Sequence, residues 1–566
     1  MTRTTTMRRA RVTRSPLRRA LVAALAVLGL AGCVAIPDAG PVVEGQVDAN
    51  EQTNDFVFLA QEPQPGATQE EIILGFLGAA ISPADDYAIA REYLGVGAAE
   101  SWDPDARVIV RSGAQPQISF TGEDETAASA ALTAQSELSA GGALLAGGDR
   151  ILEFELLQVG GEWRITRAPD GIVLSASTFD TLFQPHALHW LTPDGTRTVP
   201  EVRWFERTAT TIDERIIDAV LAGPSTWLSP AVSTFGSVEA RRVGPLRVEG
   251  TTMTVTLDLA QLTQLGPGSL EPLAVQLALS LREAGVRELR VQIDGVEGVG
   301  ASSADAGAID VGEVDLRPLV LEGSTLRSVG GGAPAAADVG ATLSAIGATS
   351  YTVGQQGGVA HTGTTAAWVV PDAEPVVISA DASVVPTVDD SGWVLLHETT
   401  GPQQLLTWRD GERNELTLPA DAGRPVAMEL SRDGARLAYV TSEGGRSSVW
   451  VLAVVRDADG RPVTLGEPYP LPAIDGAATD VTWVSSTQVA VLATDEDQSQ
   501  IAVLTIGGVS EQLPIPNTPV RAIVGGSDGT GTLRALSADD ALLSLRGRVW
   551  SPAAGLEPVA LIATQQ

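Results

Sequence analysis

The chain has 566 residues with 70 acidic side chains against 37 basic ones, all arginine, for a formal net charge of −33. An apolar fraction of 44% with 19% charged residues is enough to bury several cores, which excludes wholesale disorder. A polyanion of this size also repels phosphate, which excludes a nucleic-acid binder.

The first 32 residues hold seven arginines and no acid, followed by an apolar run from Ala20 to Ala31. Twelve helical residues rise about 18 Å, short of the roughly 30 Å hydrocarbon core, so the run reads as a secretion signal and not as a transmembrane anchor. It ends Leu30-Ala31-Gly32-Cys33, and Cys33 is the only cysteine of the chain. Small residues before a cysteine are what lipoprotein signal peptidase requires. The expected cut lies between Gly32 and Cys33, leaving Cys33 with a diacylglyceryl group on sulfur and a palmitoyl group on its amine. Several acyl chains on one residue give stable anchoring where one chain does not. No cysteine is left for a disulfide, a thiol nucleophile or a metal site.

Residues 33–66 are rich in Pro, Gly and polar side chains and read as a tether. Thr68-Gln69-Glu70-Glu71 is a capping box in front of Ile72, Ile73, Phe76, Leu77 and Ala80, which share a helix face. Pro83 ends that helix, and a second is expected over Asp85–Leu94. Ile151–Leu156 and Glu162–Ile165 alternate around Gly160-Gly161, a hairpin signal. Helices before a meandering sheet predict an α+β domain over 67–185, like the cone fold named from nuclear transport factor.

A connector over 186–204 carries His186 and His189. On a helix these two would share a face and could hold a metal; the neighbouring Trp190 and Pro193-Asp194-Gly195 instead predict strand and turn, where residues three apart point oppositely. Helix, strand, helix, strand then follow over 205–300: the box Thr211-Ile212-Asp213-Glu214 opens one helix, and Met253, Val255, Leu257 and Leu289, Val291, Ile293 alternate as strands. This predicts a small α/β domain.

Residues 301–340 are expected to be a linker, with Gly330–Ala337 open to proteolysis. Over 341–566 short strands recur with almost no helical period. The turns Asp390-Ser391-Gly392, Ser431-Arg432-Asp433-Gly434 and Trp483-Val484-Ser485-Ser486 stand about 40 to 50 residues apart, a blade-like period. The segment has room for four or five blades of a β-propeller, or six only if the blades are short or another segment contributes strands; the alternative is a β-sandwich. The fold class expected is thus multidomain, α+β followed by all-β.

Catalytic signals are few. Gly525-Gly526-Ser527-Asp528-Gly529 spells G-x-S-x-G, but the last histidine, His397, precedes it and strand follows it, so a hairpin turn is expected. Asp457-Ala458-Asp459-Gly460 and Asp495-Glu496-Asp497 do not complete a calcium loop. With 70 acids, a carboxylate pair for glycoside hydrolysis stays open.

Cys33-Val34-Ala35-Ile36-Pro37-Asp38-Ala39-Gly40-Pro41-Val42 resembles the lipobox and first segment of LpqB-type lipoproteins of actinobacteria. His189-Trp190-Leu191-Thr192-Pro193-Asp194-Gly195 and Val199-Pro200-Glu201-Val202-Arg203-Trp204 are similar to that family's connector, with His189-Trp190 where an aromatic pair is expected. Leu221-Ala222-Gly223-Pro224-Ser225, Val255–Leu259 and Val291–Gly295 resemble the GerMN domain, named from spore-germination proteins. The resemblance implies a C-terminal β-propeller and a lipid-anchored protein on the outer face of the plasma membrane. It implies an accessory to the MtrAB two-component system that touches the extracytoplasmic part of the sensor kinase MtrB and influences envelope homeostasis and division. It implies no catalytic residue and no cofactor. The alternatives are a module binding cell-wall glycan and a hydrolase acting on peptidoglycan.

Overall fold

The computed structural model describes residues 60–565, apart from 122–124, 208–211, 234–239, 260–269, 283–284, 304–316, 331–336, 402, 421–422, 496–497, 527–528, 554 and 556–557. The expected leader, Gly32, Cys33 and most of the expected tether lie outside these residues. Among the described residues no helix is long and apolar enough to cross a membrane.

The capping box forms as the sequence predicts. The Thr68 hydroxyl accepts from the Glu71 N–H at 3.3 Å and the Glu71 carboxylate accepts from the Thr68 N–H at 2.8 Å, opening α1 (Gln69–Ala79). Ile72, Ile73, Phe76 and Ala79 face the core. Next, α2 (Ala84–Glu92) differs from expectation in its first turn, where Asp85, Asp86 and Tyr87 are left-handed at φ 52, 57 and 58°. Such residues cost about 1–2 kcal/mol each. Burial of Tyr87 edge-on to Trp102 at 5.8 Å and an Asp86–Arg91 ion pair at 3.0 Å hold them there. After α3 (Val96–Ser101) come β1 (Arg107–Arg111), β2 (Gln117–Thr121), β3 (Ala127–Ser139), β4 (Leu144–Val159), β5 (Glu162–Arg167) and β6 (Ile172–Ser175). They form one sheet in the order β5-β4-β3-β1-β6, with β2 on β3. Gly160 and Gly161, at φ +67 and +92°, make the tight turn between β4 and β5 that only glycine enters without strain.

The helix α4 (Ala176–Leu182) leads into the hairpin β7 (Phe183–Leu191) and β8 (Thr198–Glu206), which pair along their whole length. Beyond it lie α5 (Ile212–Ala222), β9 (Ala240–Arg242), β10 (Arg247–Glu249), β11 (Thr252–Leu259), α6 (Glu271–Ser280), β12 (Glu288–Ile293) and β13 (Val296–Ser302). Strands β11 and β12 run parallel, joined through α6, in the order β10-β11-β12-β13, and Met253, Val255, Leu257, Leu289, Val291 and Ile293 are all buried.

The C-terminal region is β-propeller-like. Its innermost strands are Ser350–Gly354, Thr387–Val388, Ala427–Leu430, Ala477–Ser485, Val520–Val524 and Val559–Gln565, and each lies against the next around a closed ring. Five of them are followed by the outer strands of their own blade. The sixth blade borrows: β14 (Leu319–Glu322) and β15 (Thr325–Ser328) come from the segment expected as a linker, and β14 pairs antiparallel with Val559–Gln565. The other edge of Val559–Gln565 pairs in parallel with Ser350–Gly354, through Tyr351↔Ala563, Thr352↔Thr564 and Val353↔Gln565. Six blades thus stand among the described residues. The physical reason for the borrowing is closure: without it the ring would leave two unpaired strand edges.

Candidate functional site: a hairpin seated on the propeller mouth

The hairpin β7–β8 divides its side chains between two cores. Phe183, Val202 and Trp204 pack into the N-terminal core, while Leu188, Trp190, Val199 and Phe205 join a core that also contains α5, α6 and blade residues such as Ala438, Val451 and Trp483. This is why β8 is buried on both faces, a pattern that a two-residue alternation cannot reveal.

Its tip, Thr192–Arg197, is a compact turn. Asp194 accepts from the Thr192 hydroxyl at 2.5 Å, the Thr196 N–H at 3.1 Å and the Thr196 hydroxyl at 2.9 Å. Burial works to raise the Asp194 pKa, but these bonds and the nearby Arg197 hold it below its ordinary value. The turn presents Arg197 to the propeller: one guanidinium nitrogen pairs with Asp390 at 2.6 Å and another donates to the Arg432 carbonyl at 2.6 Å. From the propeller side, the fully buried Arg436 donates to the Pro200 carbonyl at 3.3 Å, pairs with Asp433 and lies over the Trp483 ring at 4.9 Å. Arg456 pairs with Asp389 at 2.7 Å, and the Arg432 Nε donates to the Gln565 carbonyl at 2.9 Å. The turns read from the sequence as period markers are therefore gathered at one mouth of the ring, where innermost strands pass to second strands.

Farther along the hairpin, Glu201 and Arg203 form a buried pair at 3.1 Å. Glu201 also accepts from the Trp190 indole at 3.0 Å, while Arg203 donates to the Gly141 carbonyl at 2.7 Å and to Ser225 at 3.1 Å. The Trp204 indole donates to the Gly507 carbonyl at 2.7 Å and the Tyr469 hydroxyl to the Leu144 carbonyl at 2.6 Å. The connector motif thus bonds the N-terminal sheet, the small α/β part and the propeller to one another.

Inside the ring a second device repeats. A polar side chain on one innermost strand accepts a backbone N–H from the next strand: Thr387 from Leu430 at 3.1 Å, Glu429 from Trp483 at 3.3 Å, Asp480 from Ile523 at 2.8 Å and Thr482 from Gly525 at 3.0 Å. Gly525 is required at its place, since a Cβ there would lie 1.9 Å from the Trp483 carbonyl oxygen. Burial lifts Glu429 to about 8 and Asp480 to about 7, with the backbone bonds opposing the rise.

Both folded values stand above the ordinary 4.5 and 3.8. Their contribution to stability is therefore full below about pH 4 and is lost as pH rises through 7 to 8. Thermal unfolding of the protein is expected to move to lower temperature from about pH 6 to about pH 9, and Glu429→Gln, which keeps the acceptor oxygen, is expected to flatten that fall. An unchanged slope in the variant would show that Glu429 does not titrate in this range.

The histidine pair behaves as a strand pair. His186 meets Phe205 edge-on at 5.8 Å, and His189 is lowered to about 4 by burial and by Arg282. In the propeller, His397 is fully buried with its Nδ1 2.5 Å from the Ser383 Oγ. Among the described residues no group of three or more His, Asp and Glu could hold a metal ion. In the G-x-S-x-G stretch Ser527 and Asp528 lie outside the described residues; the flanking Val520–Val524 and Arg534–Ser537 pair antiparallel, as a hairpin requires. Asp457 caps its own turn through Asp459 N–H at 3.1 Å and Arg461 N–H at 3.0 Å, while Glu496 and Asp497 lie outside the described residues. Sequence reasoning missed Arg197, Asp389, Asp390, Glu429, Asp480, Arg432, Arg436 and Arg456 as a group. The shared position of several of them, at or beside the turn after an innermost strand, was the available signal.

A family model described as the N-terminal domain of lipoprotein LpqB matches residues 62–180, and one described as the lipoprotein LpqB β-propeller domain matches residues 290–560. The second match begins ahead of β14 and so includes the borrowed strands. The chain is 26% identical to lipoprotein LpqB of Cutibacterium acnes, covering 94% of this chain and 96% of that protein. It is 28% identical to lipoprotein LpqB of Thermobifida fusca, over 86% and 89%. Among solved structures, a chain of a nidogen/laminin complex aligns with 44% of this chain and 97% of its own, at 10% identity and a TM-score of 0.31.

Proposed function

The chain belongs to the LpqB lipoprotein family, and from that premise we propose that it is an accessory protein, lipid-anchored through Cys33 on the outer face of the plasma membrane, that modulates a membrane sensor kinase of the MtrB type by protein contact. The division we propose is a tether over 33–66, a nuclear-transport-factor-like domain over 67–185, a connector over 186–204, a GerMN domain over 205–300 and a propeller that takes its sixth blade from 319–328 and 559–565. The observation that carries the reading is the seated hairpin. Arginines hold its parts together, through Arg197–Asp390, Arg436 to the Pro200 carbonyl and Arg203 to the Gly141 carbonyl. Such a body offers its partner a fixed outer surface and a role in binding, not in catalysis.

Twenty-seven residues separate Cys33 from Ala60, at most about 100 Å of fully extended chain, so a lipid on Cys33 keeps the body near the bilayer where an extracytoplasmic sensor domain stands. Confinement raises effective concentration, and a weak contact is then occupied. In vesicles holding the kinase, the lipidated protein is expected to change the autophosphorylation rate at concentrations where the unlipidated chain 34–566 does not. No change with the lipidated protein would refute the modulator reading. In cells, Cys33→Ala is expected to abolish palmitate labelling and to leave unprocessed precursor; continued labelling would place the lipid elsewhere.

A further inference from the structure

The long strand β4 joins two different ends of the body. At its start, the Leu144 carbonyl accepts from the propeller's Tyr469 at 2.6 Å. At its finish, sixteen residues on, Val159 enters the Gly160-Gly161 turn. At about 3.3 Å per residue the strand spans at most roughly 50 Å between the two points. The chain emerging from the tether is fastened at the second end: the Gly66 N–H donates to Glu162 at 2.8 Å, and Tyr93 donates to the Gln61 carbonyl at 2.8 Å. The chain thus enters the body at the opposite end of β4 from the propeller contact.

That tip exposes aliphatic side chains. Leu156 and Ile165 point into the core, so Leu157 and Val159 point out, and they are 54% and 58% exposed. Val96, just past the Gly95 N–H that bonds the Ile165 carbonyl of β5, is 80% exposed. Arg164 stands opposite Leu157 on the same outward face. Glu153, Glu155 and the 69% exposed Ile151 share this face farther back along β4, with Glu155 paired to Arg167 at 3.2 Å, and Glu162 at the turn is occupied by Gly66. Aliphatic groups beside an arginine suit the boundary between headgroups and acyl chains, where apolar groups enter and guanidinium stems reach the phosphates.

We infer that the β4–β5 tip, with Val96, Leu157 and Val159, docks on the lipid surface. The occupant follows from where the outlying chain ends: twenty-seven residues separate the expected lipid on Cys33 from Ala60, and the chain that follows is bonded at this end through Gln61 and Gly66. The biological sense of the inference rests on the lipid-anchor reading, which palmitate labelling tests separately.

The mature chain after Cys33 has no cysteine, so a single introduced thiol reports one place. The chain 34–566 would be tethered by an N-terminal histidine tag to phosphatidylcholine vesicles carrying a nickel-chelating lipid. An environment-sensitive dye would be placed at Val159→Cys, and in a second preparation at Val549→Cys on the propeller. Spin-labelled lipid is expected to quench the first several-fold more than the second, and Val96→Glu with Leu157→Glu is expected to remove the difference. Equal quenching at both positions, or none, would overturn the docking. So would a dye shift at Val159→Cys that appears without vesicles and grows with protein concentration, which would make a second copy of the chain the occupant.

Discussion

Removing residues 559–566 is expected to abolish cooperative folding of the propeller. Val559, Leu561, Ile562 and Ala563 are almost completely buried, and burying Val, Leu or Ile is worth about 1.5–3 kcal/mol each. The strand also carries backbone ladders on both edges, with Leu319–Glu322 on one side and Tyr351–Val353 on the other, at about 1 kcal/mol per bond. The sum rivals the whole net stability of a domain, about 5–15 kcal/mol. Truncation would also expose two inner edges as templates for aggregation. Circular dichroism should show no sharp thermal transition for the truncated chain, and a peptide of residues 559–566 added during refolding should restore part of it. A truncated protein melting as the intact one does would mean that the ring does not depend on this closure.

The second large effect is expected at Arg436. Its guanidinium is fully buried and neutralises Asp433, satisfies the Pro200 carbonyl and covers Trp483. Arg436→Ala leaves a buried carboxylate with no counter-charge, a class of change that costs about 3–5 kcal/mol. Urea unfolding should show that loss as a lower midpoint. Asp433→Ala in the same chain should add much less than it costs alone, because the orphaned charge is then gone. Additive losses would show that the pair does not act as a unit. Since Pro200 lies on β8, hydrogen exchange in the hairpin should also quicken in Arg436→Ala; unchanged exchange there would separate the hairpin from the joint.

Much of the fold is legible in the sequence because it is local. The capping box at Thr68–Glu71, the glycine turn at 160–161 and the alternation of Met253, Val255 and Leu257 each depend on neighbours a few residues away. The blade period is also readable, since the turns at Asp390–Gly392 and Ser431–Gly434 repeat the same short-range chemistry. The borrowed blade is not. Nothing in Leu319–Glu322 announces that its partner is Val559–Gln565, because strand pairing at such a separation is set by closure of the ring and leaves no local pattern. The left-handed turn at Asp85–Tyr87 escapes for a related reason: it is imposed by Trp102 and Arg91, against local preference.

The mouth is partly legible. Thr192-Pro193-Asp194-Gly195 reads as a turn, and the Asp194 bonds to Thr192 and Thr196 confirm it. That Arg197 then meets Asp390, 193 residues away, depends on the packing of three folded parts. The same holds for Glu429 and Asp480, acids whose position on innermost strands could be inferred but whose bonds to the next strand could not. These groups carry no catalytic spacing in the sequence; their work is joining blades.

The central claim is that this body is a membrane-confined binder of a sensor kinase, and crosslinking in intact cells tests it most directly. A photo-reactive crosslinker would be activated in cells expressing residues 1–566, and the captured species identified by mass spectrometry. The account predicts recovery of the extracytoplasmic part of a sensor kinase, lost in cells carrying Cys33→Ala. Recovery of glycan fragments alone, in cells where the kinase is abundant, would contradict it.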